Sequence, residues 1–266
     1  MNGKPELESV VIRQIPALSA IYFALLQCGY PYYGTGRREQ LVQAVRHFSC
    51  AGPALPFFAQ VKQDTCDVYP SWPRAALLET ASFFLTPEGG AFEDFARFRR
   101  SVLSAPNLSD AERGPALWNW ISAFPHALSQ TMSSDGFLSY LSWEKGWIAG
   151  QAHLHRDGLQ LVRRCLARCA ERYCSPVREV LIALSPIKCV YSADYHRLGE
   201  RYIVCAGTFQ PETVIHEFLH HLLHLALQPR EQIQSSRLNY PGIDRSYRLS
   251  GDAEGRCNAF EEYAVR

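Results

Sequence analysis

The segment Pro211-Glu212-Thr213-Val214-Ile215-His216-Glu217-Phe218-Leu219-His220-His221-Leu222-Leu223 constrains this chain more than any other. Its apolar residues Val214, Ile215, Phe218, Leu219, Leu222 and Leu223 recur at helical spacing and would press one face into a core. His216 and His220 stand four residues apart, so one helical turn sets both imidazoles on the same face, close enough to hold one metal ion. Glu217 falls about 100° round the helix from His216. From there it can reach a water on the same ion without being a ligand. A zinc ion held by the pair would lower that water's pKa, with Glu217 taking the proton as the hydroxide attacks a carbonyl.

The flanks of this helix have their own texture. Residues 179–184 (EVLIAL), 188–192 (KCVYS) and 201–206 (RYIVCA) read as three strands, with a polar loop at 194–200. Their short connections favour antiparallel pairing. Pro211 suits the first turn of the next helix, and Pro229 ends it near Gln228. A polar and aromatic loop at 230–251 then leads to a final helix at 252–265.

Everything before Cys174 reads as helical. An apolar stripe through Val11, Ile15, Leu18, Ile21, Tyr22 and Leu25 predicts a helix over residues 8–28, and similar patterns run through 37–49, 74–86, 91–103, 109–123 and 135–173. The expectation is an α+β protein with a helical region over 1–174 and a catalytic, metal-binding region over 175–266. Its sheet is expected to be small, and antiparallel or mixed.

Composition narrows the partners. The 27 basic and 26 acidic residues leave a formal charge of +1, with none of the excess positive charge that nucleic acid or anionic membrane would call for. No stretch is apolar enough for a membrane span. Arg13, Gln14 and Pro16 interrupt the N-terminal apolar run, which therefore does not read as a signal peptide. Nine cysteines without paired spacing fit reduced thiols and a cytoplasmic setting.

The stretch Val214-Ile215-His216-Glu217-Phe218-Leu219-His220-His221 resembles the active-site helix of the zincin metallopeptidases. That resemblance implies a sheet before the helix, a Zn2+ cofactor and a peptide or protein substrate. Leu223 and Ala226 occupy the places where the metzincin branch carries a Gly and a third His, so that branch is excluded. The gluzincin branch takes its third ligand from a Glu on a later helix, commonly in a Glu-x-x-Ala pattern. Glu261-Glu262-Tyr263-Ala264 matches it, with Glu261 as the implied ligand and Ala264 allowing close approach. Glu262, Glu254 and Asp252 stand as alternatives in that order. Beside the peptidase reading stand a noncatalytic, zinc-stabilised interaction protein and a zinc hydrolase of a non-peptide amide.

Other candidates are weaker. Tyr247, ahead of Tyr240 and His196, is the preferred donor to a developing oxyanion, because it lies between the two helices of the site. His224 would lie about 12 Å from His216 along the helix, outside ligand range. His221 points away from the pair, toward solvent or another element. His153 and His155 read as surface residues, Cys165, Cys169 and Cys174 as buried free thiols, and Trp118, Trp120, Trp143 and Trp147 as core.

Overall fold

A computed structural model describes residues 7–29, 37–46, 48, 52–63, 74–85, 115–188, 193–226 and 260–265. The chain opens on a strand, β1 (Ser9–Arg13), and only then enters helix α1 (Pro16–Gln27). The expected helix over 8–28 is therefore two elements. Val10, Val11 and Ile12 are β-branched and favour extended backbone. Ile15, held at φ −117° and ψ 105° ahead of Pro16, marks the switch. Next come α2 (Arg37–Arg46), a short 3-10 turn (Gly52–Ala54), α3 (Leu55–Gln63), which the apolar pattern left unread, and α4 (Arg74–Leu85). The helix expected at 91–103 lies outside the described residues. α5 (Pro115–Met132) and the long α6 (Asp135–Arg172) complete the helical part. The Ser134 side chain caps α6 by accepting a hydrogen bond from the Phe137 amide.

Three further strands follow: β2 (Glu179–Leu184), β3 (Asp194–Leu198) and β4 (Arg201–Ala206). The sheet order is β1-β2-β4-β3, and both β1–β2 and β2–β4 pair in parallel. Only β3–β4 is antiparallel, so the sheet is mixed and the short-connection expectation of antiparallel pairing fails for β2 and β4. The second strand of this region is β3, in the stretch expected to be loop. Lys188 sits in a bend, and residues 189–192 lie outside the described residues. β3 turns tightly into β4 at Gly199, whose φ of +62° suits a two-residue hairpin. Strand β4 is internal, and β1 and β3 are the two terminal strands.

Side-chain alternation divides the sheet between two cores. Leu181, Ala183, Ile203 and Cys205 face a cluster built on α1, whose residues 17–26 are all buried. An apolar helix surrounded on every side is what that sequence requires. Val180, Ile182, Tyr202 and Val204 face the other cluster, with Val162 and Leu166 of α6 and Val214, Phe218 and Leu222 of α7 (Pro211–Ala226). α6 reaches both cores, through Phe137 and Tyr140 near its start and Val162, Leu166 and Ala170 near its end. Its Trp143 is exposed and stacks on Trp147 at 6.5 Å, so this tryptophan is not part of the core it was expected to join. The side chains of Trp118 and Trp120 lie outside the described residues. β1 and α6 thus tie residues on both sides of the expected division at 174 into one sheet and its coverings. Among the described residues no helix is long and apolar enough to cross a membrane.

Candidate metal centre

α7 forms as its sequence predicts: Val214, Phe218 and Leu222 are buried against the sheet, and His216 and His220 look out from the edge of that face. Their Nε2 atoms approach to 3.0 Å. The helical turn at 260–265 brings the Glu262 carboxylate to the same point, 3.5 Å from His216 Nε2 and 3.2 Å from His220 Nε2. The three donors lie within 4.8 Å of one another, a set of two imidazoles and a carboxylate that suits catalytic zinc. Burial, and then the neighbouring His216, holds the His220 pKa below its usual value, which favours the neutral imidazole a metal needs.

The carboxylate that meets the histidine pair is that of Glu262, the first alternative, with the implied ligand Glu261 one residue before it. Neighbouring helical residues diverge by about 100°, so the two carboxylates approach the histidines from different directions. Glu261 points into the interior and is buried. Ala264, expected at a close approach to α7, is exposed. Tyr247, Tyr240, Glu254 and Asp252 lie outside the described residues, as does the side chain of His224.

Glu217 is half-buried, and its pKa is pushed up to about 8. Burial is the main cause, followed by the negative charges of Asp194 and Glu262, with Lys188 opposing them. Beneath it, Tyr202 packs edge-on against Phe218 at 5.2 Å and lies 5.4 Å from His221. The Tyr202 hydroxyl is buried and has no hydrogen-bond partner among the described residues. His221 is buried, with Nε2 3.4 Å from Ser175 Oγ, so it meets another element and not solvent.

His196, considered as an oxyanion donor, is buried elsewhere. It lies in β3 with Nε2 2.8 Å from Glu79 and Nδ1 2.9 Å from Thr80 Oγ1. Around Glu79 sits an ion network that sequence patterns did not reveal. Lys188 Nζ donates to Glu79 at 2.6 Å, to Asp194 at 2.5 Å and to the Tyr22 hydroxyl at 2.7 Å. Burial alone would raise the Glu79 pKa, but Lys188 and His196 outweigh it and hold the carboxyl at about 2. The one hint was Lys188 at the start of a segment that reads as a strand, a costly place for a buried charge without partners.

His153 is exposed, as expected, while His155 is half-buried with its ring against Phe209 at 5.0 Å. Cys165 and Cys169 are half-buried free thiols and Cys174 is exposed, so full burial was wrong for all three. No family model, curated protein or solved structure matches this chain.

Proposed function

We propose that this protein is a zinc-dependent hydrolase that cleaves peptide bonds. The observation that carries the reading is the convergence of His216 Nε2, His220 Nε2 and the Glu262 carboxylate, with a half-buried carboxyl, Glu217, one residue from the first histidine. His216, His220 and Glu262 would hold the ion. Zinc, when bound, supplies Lewis acidity and an acidified water. Glu217 would take a proton from the attacking water and return it to the departing amine, a bound cation countering the rise that burial gives its pKa in the metal-free protein. β3, one of the two terminal strands, offers a backbone edge along which an extended peptide can pair. Tyr247 remains the proposed oxyanion donor.

Zinc analysis and a broad peptide library test the reading together. The wild type should carry zinc at the His216–His220 site and cleave peptides. Glu217→Gln should keep the metal and lose cleavage. Glu262→Gln should lose zinc affinity. A wild type that holds this zinc but cleaves no peptide would point to the noncatalytic, zinc-stabilised protein, or to a non-peptide amide as substrate.

A further inference from the structure

On the opposite face of the sheet, three other side chains converge: Glu79 of α4, His196 of β3 and Cys205 of β4. One donor atom from each lies within 4.8 Å of the others, and all three residues are buried. The register explains the meeting of two of them. Asp194 pairs with Cys205 and His196 with Ile203, so Asp194, His196, Cys205 and Ile203 all project to the α4 side. The His216–His220 pair belongs to α7, which covers the other face, so the two clusters cannot share an ion.

The geometry points to a second, buried metal centre at Glu79, His196 and Cys205, built for a thiophilic divalent cation such as zinc. Imidazole, carboxylate and thiolate are all zinc donors, and one thiolate with one carboxylate balances a 2+ charge. Surrounding groups are placed to orient these ligands. Thr80 Oγ1 holds His196 Nδ1 at 2.9 Å, which turns Nε2 toward Glu79 Oε2. Lys188 binds the other Glu79 oxygen, Oε1, at 2.6 Å and leaves Oε2 for an ion. The repulsion between an ion and Lys188 is offset by Asp194, whose carboxylate lies 2.5 Å from the ammonium. The Cys205 thiol hydrogen-bonds Glu79 in the metal-free state, and its proton leaves to solvent when sulfur takes the metal. Because the donors are buried, such an ion would be acquired during folding and exchange slowly.

The test uses the full chain expressed with zinc supplementation and counts metal by mass spectrometry. The wild type should carry two zinc ions, the double variant His216→Ala/His220→Ala one, and the near-isosteric Cys205→Ser one. With cobalt(II) as probe, His216→Ala/His220→Ala should show thiolate-to-metal charge-transfer absorption in the near ultraviolet. Adding Cys205→Ser should abolish that band, while Cys165→Ser/Cys169→Ser should leave it intact. If the first site binds nothing, the wild type would still carry one ion that depends on Cys205, so the two readings fail separately. Metal content and cobalt spectrum unchanged by Cys205→Ser would overturn the second centre, as would a folded His216→Ala/His220→Ala protein with no ion. The Glu79–Lys188–His196 cluster would then be an ion network alone.

Discussion

Glu217→Gln should stabilise the metal-free protein at alkaline pH and leave it nearly unchanged at acidic pH. A carboxyl raised from 4.5 to about 8 by folding binds its proton more tightly in the folded state. The stability from that proton is fully present below 4.5 and is lost as pH rises through 8. At about 1.4 kcal/mol for each tenfold change in proton affinity, the full difference is about 5 kcal/mol. Water reaching the open side of the carboxyl reduces this to about 2–4 kcal/mol. Glutamine has nearly the same shape and no charge to desolvate, so the variant escapes the loss. Urea unfolding of chelator-stripped wild type and Glu217→Gln, compared from pH 5 to 9, measures it. The stability gap should be small at pH 5 and open to its full value above pH 8. Restoring zinc should shrink the gap, because a nearby cation favours the carboxylate. Two stability curves that run parallel across this range would refute the account of Glu217 as a desolvated carboxyl held near two other acids.

Lys188→Met should destabilise the fold by about 3–5 kcal/mol in chemical denaturation, since it strands buried Glu79 without its cation. The deficit should shrink below about pH 4.5, because the wild type loses the stability of its ionised Glu79 as pH falls toward about 2, whereas in the variant protonation relieves the stranded carboxylate. Gly158→Ala should cost about 1–2 kcal/mol in thermal or urea unfolding despite alanine's better helix propensity. A Cβ there would stand 2.8 Å from Phe209 and 2.9 Å from Pro211, at the start of the metal-site helix. Glu262→Gln should weaken zinc binding at the His216–His220 site by tenfold or more in competition titration with a chromophoric chelator, and Glu261→Gln should weaken it less. The reverse order would restore Glu261 as the ligand.

The histidine pair was legible because its geometry is local. Four residues are one helical turn, and the flanking apolar residues specify which face is buried, so His216, Glu217 and His220 could be placed without knowing the rest of the molecule. The α6 helix and β2 and β4 were visible for the same reason: a helical pattern or apolar run bounded by turn residues needs no distant information. What could not be read was set by partners far away in the chain. Val10, Val11 and Ile12 fit a helical stripe and a strand equally well, and pairing with residues 180–182 decides between them. β2 and β4 are parallel because β3 folds outside β4, a matter of topology and not of loop length. Glu261 and Glu262 are equivalent as letters, and the direction from which the 260–265 turn approaches α7 selects one of them. The cluster of Glu79, Lys188, Asp194, His196 and Cys205 is the extreme case, since its members come from distant segments and leave no spacing to recognise. Local periodicity determined which histidines could share a metal, and tertiary packing alone decided which acid lies beside them, because side chains distant in sequence meet only where the backbone brings them together.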